Sequence, residues 1–600
     1  MTVTAVHSGS LKITIIASQY PFSGRVPLVP PILEYLAALT LREFPDADIT
    51  LVDANQQEIT PDGIRTEIVA ISAMTATITW AYRFADACRK RGKHVILGGI
   101  HPTALPEEAA LHADTVVIGE AESVWGDALR DIQSGRSKKF YRGERLPLAN
   151  LPKPIDGKLK GNYRFRAFFT MRGCPYRCTF CSVRRFFGDT IRYRPIPEVV
   201  NEIEACAGNI WFNGDDNIWG GDVKRSTDLF SELAKGTKRN WYGFGDLRSV
   251  QGSQGGRMLA AARQSGLFSV WVGWESDDVH LRSFNASGKQ GADRVAAVKM
   301  MQDAGIDVTL FVVLGGRQDS PDSFKRTLEL SERLNVGVHP VLLTPLPGTE
   351  LYEEYKEFLL PGLGWDSYVG VKAVFDHPAP DMSPLRRELE YHHLNQELFR
   401  FSGIVRRIAS LPRSGFPMSH LLSFMTQMPM KLAFSKAYDE WKSNLQNDGQ
   451  KAVSASLDHT PPESSVEVYA SSRWSKIMRK ARLVQSRTLS ATALKIFGIG
   501  LAAITLFHAL HGQEPGESAI SDRANIALQY AEEFIFWLLV PVAVFAVVAR
   551  EISVTRWFMA IRRIADDKIN YGMLLLKEFA YSSLIGAGAY WAYACAVELL

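Results

Sequence analysis

Cysteine is scarce in this sequence, with six residues among 600. That number is too small for the disulfide framework of a small secreted domain, so this class is excluded. The N-terminal segment has no basic stretch followed by a long apolar core and a small-residue cleavage site, so we expect no signal peptide. An excess of charge of one sign is also lacking. The 68 basic and 64 acidic side chains leave a net charge of +4, and we expect no nucleic-acid partner.

The composition is that of a folded chain with several structural units. Hydrophobic residues make up 46% and charged residues 22% of the sequence, which excludes a disordered or collagen-like protein. Three of the six cysteines lie within eight positions, at Cys174, Cys178 and Cys181. Such bunching favours metal ligation in a reducing compartment over disulfide formation.

Residues 1–137 alternate short β-rich runs with helical patterns, the helices being predicted near residues 31–43 and 79–91. This alternation predicts an α/β domain with a doubly wound parallel sheet. Ligands of such sheets bind at the carboxyl ends of the strands. The loops at these ends carry the candidate binding residues Ser72, Met74, Thr75, Gly98, Gly99, His101, Pro102, Thr103, Gly119 and Glu120.

A second β/α series is predicted over residues 165–355, after a linker at 138–164. Six strand candidates separated by helical stretches predict a partial (β/α)6 barrel, with chemistry at the carboxyl ends of its strands. A helical cap is predicted over residues 356–442. A polar linker at 443–472 then leads to a tail at 473–600.

The tail contains three apolar stretches, at residues 490–510, 534–549 and 579–597. The first and third are long enough to cross a bilayer, and the second is short. Basic residues are concentrated before the first stretch and between the second and third, which by the positive-inside rule places the preceding domains in the cytoplasm. We therefore expect about three transmembrane helices in the cell inner membrane. A buried helical bundle or an interfacial hairpin is the alternative.

The strongest chemical signal is the C-x3-C-x2-C run of Cys174, Cys178 and Cys181, directly after a predicted strand. Three thiolates on one tight loop can hold three irons of a [4Fe–4S] cluster and leave the fourth iron open. A structural zinc site would need a fourth ligand. No histidine lies between His112 and His280, and the next cysteine is 25 residues further on.

This cysteine loop resembles that of the radical S-adenosylmethionine (SAM) superfamily, and the preceding α/β domain makes the chain similar to its cobalamin-binding branch. The resemblance covers about residues 10–405. It implies that the open iron binds SAM, whose cleavage yields a 5′-deoxyadenosyl radical. By position in the family's motifs, it also implies SAM contacts for Phe180, Asn213, Asp215, Gly273, Glu275 and Ser276.

The same resemblance implies that the candidate residues of the first domain bind cobalamin, since small residues let the backbone approach a large planar ligand. The D-x-H-x-x-G loop that supplies an axial histidine in other cobalamin proteins is absent. We therefore expect no histidine on the lower face of the cofactor, with His101 left open. A domain that has lost its cofactor is the alternative.

The resulting prediction is a membrane-anchored, cobalamin-dependent radical SAM enzyme with a [4Fe–4S] cluster, SAM and cobalamin as cofactors. Its most common chemistry among such relatives is C-methylation of an unactivated carbon, here of a lipophilic substrate such as a lipid, isoprenoid or hopanoid. The alternatives are an oxidative cyclase or carbon–carbon coupling enzyme and a non-enzymatic iron–sulfur redox sensor. An electron donor such as flavodoxin or ferredoxin is an expected partner. The sequence identifies no general base.

Overall fold

A computed structural model describes residues 10–21, 28–155, 157–163, 165–206, 208, 210–237, 239–276, 284, 293–409, 427, 430–431 and 434–443. Contacts between residues divide the chain into two units, 1–456 and 457–600, and every described residue belongs to the first. The three predicted transmembrane stretches lie outside the described residues. No helix among the residues just given has both the length and the apolar character needed to cross a membrane.

The first domain is built on a six-stranded, wholly parallel sheet in the order β2-β1-β3-β4-β5-β6. Its central strands are almost entirely apolar because helices cover both faces of the sheet. The strands are β1 (Lys12–Ala17), β2 (Asp48–Asp53), β3 (Ile68–Ser72), β4 (His94–Gly98), β5 (Thr115–Ile118) and β6 (Phe140–Arg142).

Five helices connect these strands. Pro31 occupies the first turn of the first helix, where its missing N–H has no intrahelical partner to lose. The helices are α1 (Pro31–Glu43), α2 (Ile78–Arg89), α3 (Ile100–Ala104), α4 (Pro106–His112) and α5 (Trp125–Gln133). The parallel α/β architecture predicted for this domain is therefore confirmed.

The second domain contains six parallel strands in the order β7-β10-β11-β12-β13-β14, which form the predicted open barrel wall. A two-stranded antiparallel pair, β8 with β9, lies beside it. The strands are β7 (Arg166–Phe168), β8 (Met171–Arg172), β9 (Arg192–Tyr193), β10 (Ile210–Asn213), β11 (Asn240–Gly245), β12 (Leu267–Glu275), β13 (Asp307–Leu314) and β14 (Gly337–Leu342).

Helices pack on the outer face of the barrel wall and form the largest apolar core with it. They are α7 (Ile196–Ala205), α8 (Val223–Leu233), α9 (Gly255–Gln264), α10 (Arg294–Asp303) and α11 (Pro321–Leu334). Two shorter helices of this domain contribute nothing to that core: α6 (Val183–Phe187) follows the cysteine loop, and α12 (Glu350–Tyr355) packs in a separate apolar cluster.

The segment predicted as a helical cap is only partly helical. Residues 356–383 carry short 3₁₀ turns and loops, because Pro361, Gly362, Gly364, Pro378 and Pro380 interrupt any longer helix. Helices follow from Pro384 onward: α13 (Pro384–Leu398), α14 (Phe401–Ala409) and a helix over residues 434–443.

Candidate active site

The cysteine loop leaves the end of β8 and returns through β9, whose register pairs Arg172 with Arg192. Gly173 opens the loop with φ of +95°, and a Cβ there would lie 2.5 Å from the carbonyl oxygen of Thr190. A larger residue would therefore clash with backbone at the point where the loop closes. The segment between β8 and β9 is therefore a narrow-necked loop that contains Cys174, Cys178 and Cys181.

Asp215, at the end of β10, anchors the start of this loop. One carboxylate oxygen accepts from the backbone N–H of Thr170 at 2.7 Å and of Met171 at 3.1 Å, and the other accepts from the Thr170 hydroxyl at 2.5 Å. Burial raises the pKa of Asp215 to about 6 despite these bonds. Asp215 therefore holds the start of the loop, and its SAM contact stays a prediction.

Three further contacts hold the middle and the end of the loop. The Tyr176 hydroxyl donates to Asp246, at the end of β11, at 3.3 Å. The backbone N–H of Thr179 donates to the carbonyl of Phe284 at 3.0 Å, and the Phe180 ring meets the Phe284 ring edge-on at 5.6 Å between centroids. Phe180 thus packs in an apolar cluster beside the last cysteine.

The three thiols are not gathered into a cage in this conformation. Within the described residues, no group of three or more His, Cys, Asp or Glu side chains is arranged to hold a metal ion. Burial, followed by the nearby Cys178, Asp216 and Glu275, raises the pKa of Cys181 to about 11. A bound cation reverses this effect, since a coordinating thiol is deprotonated.

The predicted SAM-binding segment, Gly273 to Ser276, ends β12 with an irregular register between Gly273 and Glu275. Glu275 has φ of +64° and is 8% exposed, an uncommon backbone conformation for a residue with a side chain. The buried Arg294 donates to the carbonyls of Trp274 and Ser276, both at 3.0 Å, and its guanidinium lies 4.0 Å from the centre of the Trp274 ring. Strain of this kind persists only where surrounding contacts hold it, and it is concentrated at functional sites.

Asn213, at the carboxyl end of β10, is fully buried, and its side-chain oxygen accepts from the backbone N–H of Asp215 at 2.9 Å. Its amide nitrogen has no hydrogen-bond partner among the residues that the structure describes. A buried donor without a partner is costly, so this atom fits a site for a bound acceptor such as a carboxylate or a ribose oxygen.

In the first domain, the predicted binding loops after β3 and β4 touch one another. Gly99 has φ of +107°, and a Cβ there would lie 2.4 Å from the carbonyl oxygen of Ala73. The backbone N–H of Ala73 donates to the carbonyl of Gly98 at 3.0 Å, and the carbonyl of Ser72 accepts from the hydroxyl of Ser18 at 2.8 Å. Met74 is 41% exposed beside this tightly packed backbone. Glycine is thus required for the loops to form one surface.

His101 is fully buried, and both of its ring nitrogens have partners. Nδ1 lies 3.2 Å from the Thr75 hydroxyl and Nε2 lies 3.4 Å from a carboxylate oxygen of Glu108. The ring meets Trp365 edge-on at 5.0 Å, and the Trp365 indole N–H also donates to Glu108, at 2.9 Å. Neither nitrogen is available as an axial ligand in this conformation.

The loops after α3 and β5 complete this edge of the sheet. The Thr103 hydroxyl accepts from the backbone N–H of Gly119 at 2.9 Å, and Pro102 is buried. A Cβ on Gly348 would lie 3.0 Å from Ala104, so the loop after β14 packs against the end of α3. The carboxyl-end loops of both sheets therefore adjoin within one compact unit.

Glu120 is 4% exposed, and its carboxylate accepts from Arg172 and Arg192 of the cysteine-loop pair. The cobalamin contact of Glu120 stays a prediction. Sequence reasoning missed both arginines, as well as Asp246 and Arg294, because a partner far away in the chain leaves no local pattern.

Comparison with known proteins assigns a domain family to each of the two α/β domains. A B12 binding domain family matches residues 28–128, and the radical SAM superfamily matches residues 168–331. The first match lies within the part of the chain that forms the first sheet, and the second lies within the part that forms the second sheet. The chain therefore combines a B12-binding domain with a radical SAM domain, and its relatives are cobalamin-dependent radical SAM enzymes. Its cofactors are a [4Fe–4S] cluster, SAM and cobalamin, and such an enzyme needs an electron donor and a substrate.

Two curated relatives of this enzyme come from Chlorobaculum tepidum. Bacteriochlorophyllide d C-12(1)-methyltransferase is 29% identical over 409 residues, which cover 65% of this chain and 86% of the relative. Bacteriochlorophyllide d C-8(2)-methyltransferase is 27% identical over 440 residues, which cover 68% and 92% of the two chains. Each match leaves about a third of this chain uncovered.

Among solved structures, the cobalamin-dependent SAM radical enzyme OxsB with aqua-cobalamin and SAM bound has the same fold. The TM-score is 0.53 at 13% identity, and the match covers 74% of this enzyme and 81% of OxsB. At that identity the likeness concerns the fold alone.

Proposed function

We propose that this enzyme is a C-methyltransferase that methylates an unactivated carbon of a lipophilic substrate. The observation that carries the proposal is the junction of the two sheets. There, Glu120 of the B12 domain accepts from Arg172 at the start of the cysteine loop, and Glu108 of the same domain accepts from the Trp365 indole. When bound there, the cofactors supply a 5′-deoxyadenosyl radical for hydrogen abstraction and a transferable methyl group. The chain contributes position and exclusion of water, since its loops are buried against each other at this junction.

A layer of aromatic side chains on the inner face of the barrel supports the proposal that the substrate is lipophilic. Four neighbouring strands contribute rings that are buried or partly buried, and the centroids of neighbouring rings lie 5.2–5.8 Å apart. The layer consists of Phe212, Tyr242, Phe244, Trp271 and Phe311. Aromatic faces at these spacings bind flat or polycyclic apolar groups. Bacteriochlorophyllide d, the substrate in the relatives' names, is a large macrocycle, so tetrapyrroles stand beside lipids, isoprenoids and hopanoids as candidates.

The test supplies SAM labelled in its methyl group to the anaerobically purified full chain with membrane-lipid and tetrapyrrole extracts. A methyltransferase gives a product that carries the labelled methyl group, together with 5′-deoxyadenosine. A product that has lost hydrogens and gained no label would identify an oxidative cyclase or coupling enzyme instead. Absence of 5′-deoxyadenosine with the cluster intact would contradict both. The Cys178→Ser variant is the matched control and should yield neither product.

The same proposal includes an anchor in the cell inner membrane through residues 473–600, with the two α/β domains facing the cytoplasm. The apolar stretches and the distribution of basic residues support it. Removing residues 471–600 should spare SAM cleavage while lowering turnover of the native lipophilic substrate. Undiminished native turnover by the truncated protein would contradict the anchor's role, and recovery of the full chain in the soluble fraction would contradict the anchor itself.

A further inference from the structure

A cluster of four charged side chains joins the B12 domain to the cysteine loop. We name Glu120, Glu122, Arg172 and Arg192 the interdomain brace. We propose that the interdomain brace is a positioning device that sets the distance between bound cobalamin and the cluster.

Contacts within the interdomain brace are short and shared. One Arg172 nitrogen lies 2.6 Å from a carboxylate oxygen of Glu120 and 2.6 Å from one of Glu122. Arg192 donates to both carboxylate oxygens of Glu120, one of them at 3.0 Å. Glu122 also accepts from the Tyr35 hydroxyl at 2.8 Å. Each carboxylate is therefore held by donors from more than one direction.

Burial makes the loss of any one of these contacts costly. The side chains of Glu120 and Glu122 are 2% and 6% exposed, and those of Arg172 and Arg192 are 17% and 15% exposed. Buried ions that lose a partner are costly, while an intact buried pair contributes little net stability. The forked guanidinium also fixes direction, because it donates to a carboxylate in its own plane. The interdomain brace therefore specifies geometry more than it adds stability.

The location of the interdomain brace connects it to both cofactor sites. Arg172 precedes Cys174 by two residues, and Arg192 is its register partner across the β8–β9 pair that closes the cysteine loop. Glu120 directly follows Gly119, whose φ of +77° makes the turn at the end of β5. A displacement of this turn would thus move the neck of the cysteine loop with it.

This inference rests on both cofactors being bound, not on methyl transfer. The positioning role would be the same in an oxidative cyclase, so a failure of the proposed methyl transfer would not contradict it. Its readout is also independent of turnover. Cob(II)alamin and the reduced cluster are both paramagnetic, and their dipolar coupling falls with the cube of the distance between them.

The experiment compares the reconstituted full-length enzyme with its Arg172→Lys and Glu120→Gln variants. Iron and cobalt contents are measured first, and pulsed EPR then measures the coupling between the two centres. We expect both variants to retain iron and cobalt and to show a shifted or broadened distance distribution. The control is Arg177→Lys, since Arg177 lies in the same loop but is 64% exposed and pairs only loosely with Asp189, at 3.5 Å. The control should give the wild-type distribution.

Two results would overturn the inference. Unchanged coupling in variants that hold both cofactors would show that the interdomain brace does not set the distance. Selective loss of cobalt with iron retained would place Glu120 in the cobalamin pocket instead. If Arg172→Lys does not fold, Arg192→Lys is tested by the same measurement. This variant keeps the contacts of Arg172 with Glu120 and Glu122 and weakens only the contact of residue 192 with Glu120.

Discussion

Glu275 combines a backbone conformation that suits glycine with a carboxylate predicted to contact SAM, so its backbone and side chain can be tested separately. At φ of +64° a residue with a Cβ costs roughly 1–2 kcal/mol. Glycine avoids that cost but loses about 0.5–1 kcal/mol more in chain entropy on folding. Glu275→Gly should therefore unfold with a free energy about 0.5–1 kcal/mol higher than Glu275→Ala. Both variants lack the carboxylate, so the difference reports the backbone alone.

SAM affinity should separate from this stability difference. A hydrogen bond to a charged group contributes about 1.5–3 kcal/mol, so both variants should bind SAM roughly 10- to 100-fold more weakly than the parent enzyme. Urea unfolding measures the first quantity, and equilibrium dialysis of SAM against the cluster-loaded enzyme measures the second. Equal stability of the two variants would refute the claim of strain, and unchanged SAM affinity would refute the role of the carboxylate.

Asn335 provides a matched control at a distance from the site. It ends α11 with φ of +52°, a position where helices commonly adopt the left-handed conformation. Asn335→Gly and Asn335→Ala should show a stability difference of the same sign and leave SAM affinity unchanged. A loss of SAM affinity in this pair would mean that the effect at Glu275 is global.

Three further predictions concern single residues. Gly99→Ala should lower cobalt content and stability, because its Cβ meets backbone oxygen at 2.4 Å; Gly92→Ala, with no atom within 4 Å of its Cβ, should keep full cobalt content. Arg294→Met keeps an apolar stem over Trp274 but loses both carbonyl contacts, so SAM should bind about tenfold more weakly by dialysis, with partial rescue by Arg294→Lys. Burial lowers the pKa of His339 from 6.5 to about 4, so stability present above pH 6.5 is lost as pH falls towards 4. His339→Phe should remove up to about 3 kcal/mol of that loss, measured by urea unfolding at several pH values, and an unchanged pH profile would contradict the assignment.

Much of the architecture follows from local patterns in the sequence. Helix α1 begins and ends where the proline entry and the apolar periodicity predict, at Pro31 and Glu43. All six strands predicted for the barrel occur, because apolar runs bounded by glycine or polar residues identify buried parallel strands well. The strands that the pattern misses, β6, β8 and β9, are two or three residues long and contain arginine.

The site is less predictable than the fold, because its supports join residues distant in sequence. Arg172 and Glu120 are 52 positions apart, and Tyr176 and Asp246 are 70 apart. Motif spacing identified the cysteine loop and the strand end at Glu275, since each is continuous in the chain. It did not reveal that the carboxylates of Asp215 and Glu120 hold the loop, because a motif does not show which partners a side chain has in the fold.

The central claim is that one chain holds both cofactors at the junction of its two sheets. The most direct measurement is iron, sulfide and cobalt analysis of a single anaerobic detergent preparation made with cobalamin supplied, followed by EPR after reduction. The account predicts roughly four irons and about one cobalt per chain, with a cluster signal that changes when SAM is added. Iron without cobalt in a well-folded sample would contradict it.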